Sequence, residues 1–171
     1  PEIKVKRKLS LLWGALPFFS KVQGYEAAIQ EAREIIKIEK LAKDGDTIVV
    51  GQPDDRANQT TITNGSTATT NGASGNSGAV FVYKRSGTSW SQQAYIKAPN
   101  VGSGDRFGLE VDLDGNTLAV GAPYEDSNQT TITNGTSASS DNSIEDAGAV
   151  YVFIRSGNNW SQQAYIKAKN A

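Results

Sequence analysis

Cysteine and histidine are both absent from the 171 residues. Without cysteine there is no disulfide framework and no thiolate metal site. Without histidine the usual general base, the Ser–His and Cys–His nucleophile pairs and the commonest zinc ligand are all excluded. An enzyme built from this chain would depend on paired carboxylates, as glycan hydrolases do. The acids here sit in sequence that reads as turns and solvent-facing loops, so we expect no catalysis and assign no catalytic residue. Long hydrophobic runs are missing too. The strongest, residues 9–19 (LSLLWGALPFF), is broken by Gly14 and Pro17 and is too short to span a membrane. Net charge is −1, so no global excess of positive charge points to nucleic acid.

What is abundant is Gly, Ser, Thr and Asn, a composition that favours turns and strands over helices. Charge is uneven along the chain. Up to Lys43 there are nine Lys or Arg against five Asp or Glu; beyond it there are eight against thirteen. That asymmetry suggests two parts of different origin or with different partners.

The dominant signal is an internal repeat. With Gly45 aligned on Gly115, two copies run to the C-terminus without a gap, offset by 70 residues, and more than half of the aligned positions match. NQTTITNG recurs intact at residues 58–65 and 128–135. WSQQAYIKA recurs at residues 90–98 and 160–168. Gly51-Gln52-Pro53 pairs with Gly121-Ala122-Pro123, and Gly78-Ala79-Val80 with Gly148-Ala149-Val150.

Each copy reads as strands joined by turns. Asp44-Gly45 and Asp114-Gly115 are tight-hairpin signals. The runs that follow them, residues 47–50 and 117–120, stop at a Gly and then a Pro. A long polar segment comes next, about residues 124–146 in the second copy. In the strand after it, Val150, Val152 and Ile154 face one way while Tyr151 and Phe153 face the other, which implies cover on both faces. The turn at residues 156–159 leads to a last strand that mixes Gln and Lys with Ile and Tyr, as a half-exposed edge strand should. The expected unit is thus four antiparallel strands in sequence, a propeller-type blade. A β-sandwich is the rival, but its strands usually leave one face polar.

Arg106-Phe107-Gly108 followed by LEVDLDGNTLAVGAP, and the later GAVYVFIRSG with the Trp160 strand, resemble the FG-GAP repeat of integrin α-like propellers in its bacterial surface-protein form. The resemblance covers about residues 41–171. It implies a propeller of several blades, commonly about seven, with roles in cell-surface or extracellular adhesion, scaffolding or protein contact. Two departures stand out. Lys37 and Ile38 occupy the places of Phe107 and Gly108 in the first copy, so its first strand is expected to be incomplete. The calcium loop of that family is also curtailed. Only Asp112, Asp114 and Asn116, or Asp44 and Asp46, are present in the hairpins, where turn chemistry alone explains them. The acidic runs Tyr124-Glu125-Asp126 and Asp54-Asp55 are a second calcium option, otherwise read as solvated loop. We therefore assign no metal ligand and no cofactor.

N-x-[ST] sequons occur at Asn58, Asn64, Asn128 and Asn134, although Asn- and Thr-rich sequence produces such triplets freely. Residues 60–63, turning at Asn64-Gly65, read as an extra hairpin. Loops this long inside a compact repeat are commonly functional, and they are the best candidate for a contact surface. Ahead of the repeats, residues 3–9 alternate like a basic strand. A basic stretch before an apolar run resembles a signal peptide, but no small-x-small cleavage site follows, so a structured segment is the better reading. Tyr25, Ala28, Ile29, Ala32, Ile35 and Ile36 form an amphipathic helical stripe.

The sequence thus predicts a mainly β protein: two tandem four-stranded antiparallel blades after an N-terminal strand and helix, with an α+β domain as the alternative. The expected divisions are residues 1–40, 41–101 and 102–171. Two blades cannot close a ring. The chain is therefore expected to be part of a longer propeller or to assemble with copies of itself, three giving about six blades or four about eight. Function follows as a non-catalytic surface module with a protein or glycan ligand. An engineered chimera without native activity is the second reading, suggested by the abrupt change at the start of the first repeat.

Overall fold

The computed structural model describes residues 40–68, 72 and 74–169, all within one compact unit, Ile38–Ala171. The basic strand, apolar connector and amphipathic helix expected before them lie outside the described residues.

The described chain is all strand and turn. In the first repeat β1 (Lys40–Asp44), β2 (Thr47–Gln52), β3 (Thr63–Asn64), β4 (Ala79–Ser86) and β5 (Ser89–Ile96) form one antiparallel sheet in the order β1-β2-β4-β5-β3. In the second, β6 (Glu110–Asp114), β7 (Thr117–Ala122), β8 (Ile132–Asn134), β9 (Ala149–Ser156) and β10 (Asn159–Ile166) repeat it as β6-β7-β9-β10-β8. The Asp-Gly pairs do form the inner hairpins. Gly45 (φ 53°) and Gly115 (φ 57°) supply the left-handed residue that lets the strands return on themselves. This is the mainly β, blade-like architecture that the sequence predicts.

Three expectations change. First, β1 is a full strand of five residues, the same length as β6, rather than an incomplete one. Its ladder to β2 runs from Lys40↔Gly51 to Asp44↔Thr47. Backbone pairing and the turn suffice to form it although Lys43 stands exposed where Leu113 is buried. Second, each sheet has five strands. The Thr-Ile segment makes no hairpin of its own; Thr63 and Asn64 add to the outer side of β5, opposite Tyr95 and Ala94. The last long strand is therefore not the bare edge, and the half from Gln93 to Ile96 is buried. Third, β9 is covered on one face rather than both. Tyr151 and Phe153 are wholly buried, whereas Val150 and Ile154, on the other face of β9, are 41% and 37% exposed.

The core lies between the sheets. Val49, Val80, Val82, Ala94 and Ile96 of the first sheet meet Phe107, Leu118, Val120, Tyr151, Phe153 and Trp160 of the second. Ring edges interlock there, with Phe107 and Tyr151 at 5.2 Å and 76°. Each outer hairpin ladder shifts register by one residue, leaving Gln93 and Gln163 as the extra residues. Such a bulge re-aims a side chain. Gln93 is turned onto the second sheet, where its Oε1 accepts the Trp160 indole N–H at 3.0 Å.

The seam itself is made by backbone. Phe107 bridges Gly78 in parallel and donates its N–H to Ser77 O at 3.1 Å. A Cβ on Gly78 would overlap the Phe107 backbone, and one on Gly51 would overlap the Gly108 carbonyl. Gly108 itself has φ 91° and sits against the Ala79 carbonyl. These glycines are what lets one repeat's Phe-Gly lie flat on the previous sheet. Truncating Phe107 to Ala is expected to lower stability by about 3–5 kcal/mol, the cost of emptying a fully buried aromatic site. Urea unfolding of the variant against the parent chain measures it.

Candidate binding surface on the long loops

The segments between β2 and β4 and between β7 and β9 emerge from the same end of each sheet. Each is held down by one acid, buried in the second repeat and half-buried in the first. In the second repeat Glu125, 1% exposed, accepts the Tyr165 hydroxyl at 2.9 Å and the Lys167 ammonium at 2.7 Å, both from the end of β10. It also accepts Asn100 Nδ2 at 2.8 Å, which ties the linker between sheets to the same carboxylate. In the first repeat Asp55 takes the matching place, accepting Tyr95 OH at 2.9 Å and Lys97 Nζ at 3.1 Å. Aspartate is one methylene shorter, and Ser77 makes up the difference by accepting Lys97 Nζ at 2.9 Å. The acidic runs are thus not simply solvated loop: one carboxylate of each is an anchor. Burial is the main force pushing the Tyr95 and Tyr165 phenols up, with the neighbouring carboxylates adding to it. Burial also pushes the Lys97 ammonium down, against the pull of Asp55.

From these anchors the loops follow one hydrogen-bond plan. Gln59 Nε2 donates to Thr61 O and Thr63 Oγ1, and Gln129 repeats both bonds to Thr131 and Thr133. Gly65 N–H donates to Gln93 O at 2.6 Å, and Gly135 N–H to Gln163 O at 2.7 Å. Gln92 Nε2 holds Gly65 O and Thr67 O, and Gln162 holds Gly135 O and Ser137 O. The repeated NQTTITNG is therefore a scaffold. It supplies the edge strand and the side chains that stitch it to the sheet.

The tips carried on that scaffold differ. Across residues 66–77 and 136–147 the two copies share only Ala68 and Ala138. The first tip has no acid; the second has Asp141, Glu145 and Asp146. Asp141 accepts the Ser143 hydroxyl at 2.6 Å and backbone N–H groups of Ser143 and Asn128, and those bonds, the hydroxyl first, hold its carboxyl below the ordinary range.

Other sequence candidates are dispersed. Asp46 pairs with Arg85, whose guanidinium lowers its pKa. Asp44 accepts Gly115 N–H at 2.7 Å across the seam, and Asn116 accepts Arg155 Nε. Asp112 and Asp114 are exposed on β6. Among the described residues no group of three or more acids is placed to hold a metal ion. All four sequon asparagines, Asn58, Asn64, Asn128 and Asn134, are exposed. The Asn64 side chain also bonds the Trp160 backbone, accepting its N–H at 2.8 Å and donating to its O at 3.4 Å.

One group escaped the sequence reading altogether. Asp105, in the linker between the sheets, is 3% exposed and accepts Gly102 N–H at 2.8 Å. Burial raises its pKa to about 6, and the nearby Glu125 and Asp126 add to that against the Gly102 bond and Lys97. Only the Gly102-x-x-Asp105 spacing, a short side chain folding back on a turn, hinted at it.

Two outcomes follow from these anchors. Glu125→Ala is expected to cost about 3–5 kcal/mol because it leaves the Lys167 charge buried without its partner, while Asp54→Ala, at an exposed site, changes stability by less than about 0.5 kcal/mol. Denaturant unfolding of both variants tests the contrast. Asp105 has a folded pKa above its unfolded one, so its stabilising contribution is intact below about pH 4 and is lost as pH rises through about 6. The stability of Asp105→Asn relative to the parent should therefore increase from pH 4 to pH 8, by up to about 3 kcal/mol. Equal differences at both pH values would show that Asp105 titrates normally.

No helix among the described residues is long and apolar enough to cross a membrane. No curated protein and no solved structure matches the chain. Residues 90–153 match the family described as the FG-GAP repeat. The match begins on β5 of one sheet and ends on β9 of the next, with Phe107-Gly108 inside it. The family's sequence unit thus spans the seam rather than a single sheet, and across that seam this chain carries an FG-GAP repeat.

Proposed function

We propose that the chain is a non-catalytic, propeller-type repeat module of an extracellular or cell-surface protein, and that it binds a protein or glycan ligand through the tips of its two long loops. The observation that carries this is the contrast within the repeat. Loop scaffolds are duplicated bond for bond, while the tips they present have diverged almost completely. A fixed frame with variable loops is how rigid folds present binding residues. Function as a scaffold or adhesion module accords with the FG-GAP match. It also accords with the dispersal of the carboxylates, several of which serve a turn, an anchor or the seam.

The second tip is the better ligand surface. Its acids favour a partner with basic or polyhydroxyl groups. The test is to screen the chain against glycan and extracellular-protein arrays. Any hit is then measured with a variant in which residues 136–147 are replaced by the sequence of residues 66–77. Binding should fall at least about tenfold while the unfolding midpoint stays within the range of surface changes. Binding that survives the exchange, or turnover of a bound glycan, would contradict the proposal.

A further inference from the structure

We propose that Lys167 and Asn100 join in an intramolecular amide (isopeptide) bond, formed once per chain after folding, with Glu125 moving the protons. Three groups of matched chemistry meet at this point. Lys167 brings a primary amine, Asn100 a carboxamide, and Glu125 a carboxylate that touches both. The Lys167 ammonium donates to one oxygen of Glu125 at 2.7 Å, and Asn100 Nδ2 donates to the other at 2.8 Å. Amine and amide are thus held on neighbouring oxygens of one carboxylate, within the reach that proton transfer requires. In water an amine does not displace the nitrogen of an amide. Fixed proximity and the exclusion of water change that balance. The Lys167 side chain is 0% exposed and that of Glu125 1%.

The amide is also oriented and activated. Asn100 Nδ2 donates to Ser139 O at 2.7 Å as well as to Glu125, so both of its neighbours are acceptors and the amide can face only one way. That orientation turns Oδ1 to the Tyr151 hydroxyl, which donates to it at 2.7 Å. Burial pushes the Tyr151 phenol well above its ordinary range, so it stays a donor. A fixed donor on this oxygen sits where negative charge develops as an amine adds to Cγ. Glu125 is itself held in place by the Tyr165 hydroxyl at 2.9 Å and the Ser127 N–H at 3.3 Å.

The step balances without a co-reactant. Glu125 takes a proton from the Lys167 ammonium, which leaves a neutral pair in a site closed to water. The freed amine attacks Asn100 Cγ and the Nζ–Cγ bond forms. Glu125 returns the proton to Nδ2, the Cγ–Nδ2 bond breaks, and ammonia departs. The surplus proton on Nζ follows through Glu125 to the ammonia, which leaves as ammonium. No electrons change hands, and the chain is its own substrate, so nothing is turned over. The bond closes a loop from residue 100 to residue 167 that contains β6 to β10. It constrains the unfolded second repeat as a disulfide would, in a chain that has no cysteine.

The first repeat supplies an internal control. Lys97, Tyr95 and Asp55 repeat the anchor, but Phe81 stands at the place of Tyr151. Among the described residues, Asp55 accepts from Ala57, Tyr95 and Lys97 and from no side-chain amide. Lys97 therefore stays a free amine.

Intact mass of the denatured full chain, followed by a tryptic map, tests the bond. The parent should be lighter than its sequence by one ammonia. Trypsin should cut at Lys97 but not at Lys167, and should release residues 98–106 joined to residues 156–169. Glu125→Gln keeps the size of the side chain without its base and should retain the full sequence mass. Tyr151→Phe, the residue that the first repeat carries at this place, should accumulate the bond about a hundredfold more slowly. Unfolding midpoints confirm that each variant is folded; should Glu125→Gln not fold, the Tyr151→Phe rate decides the chemistry. A folded parent of full mass, cut at Lys167, would overturn the proposal and leave an ion pair only. Ammonia loss that maps to an Asn-Gly pair such as Asn134-Gly135 would overturn it too. A bond formed at the parent rate in Glu125→Gln would overturn the role of Glu125. The loop-tip ligand enters none of these readouts, so the proposed function stands or falls separately.

Discussion

The structure depends on one close approach: the backbone of Phe107-Gly108 lying on Gly51 and Gly78. No side chain fits between these segments, so the two sheets meet at backbone distance. That distance lets Phe107 reach the core, where it packs on Tyr151 and Phe153. It also brings Trp160, Arg155 and Gly115 within reach of Gln93, Thr47 and Asp44. The polar bonds fix the register of the seam, and the aromatic burial supplies most of its free energy.

The loops depend on the seam through their anchoring acids. Glu125 binds the end of its own last strand and, through Asn100, the linker that delivers Phe107. Asn100 also accepts the Tyr151 hydroxyl at 2.7 Å. Sheet, linker and loop are thus tied at one carboxylate. A buried ion pair contributes little net stability compared with apolar packing, but removing one partner is costly. Its value here is positional: it fixes where each long loop leaves the sheet, and the divergent tips inherit that geometry.

Much of this was legible in the sequence. The repeat, the Asp-Gly hairpins and the strand alternation follow from turn chemistry and a period of two, which are local properties. The Phe-Gly motif pointed to the repeat family that residues 90–153 match. What was not legible depended on distance across the fold. Glu125 and Asp54 look alike as loop acids, and only the position of Lys167, far along the chain, makes one of them an anchor. Val150 and Tyr151 look equally suited to burial, and only the number of neighbouring sheets separates them. The strand β1 formed against its side-chain pattern because a ladder and a turn depend on backbone more than on whether Lys43 packs. The edge strand at Thr63–Asn64 was mistaken for a hairpin because Asn64-Gly65 carries a hairpin signal, yet its better partner was the existing edge of β5.

The central claim is that the Phe-Gly seam makes two sheets into one cooperative body. Native-state hydrogen exchange on the central strands β2, β4, β7 and β9 tests it most directly. If the claim holds, the slowest amides of both sheets share one opening free energy and respond to denaturant with one slope. Two separate free energies, with one sheet exchanging while the other stays protected, would contradict it.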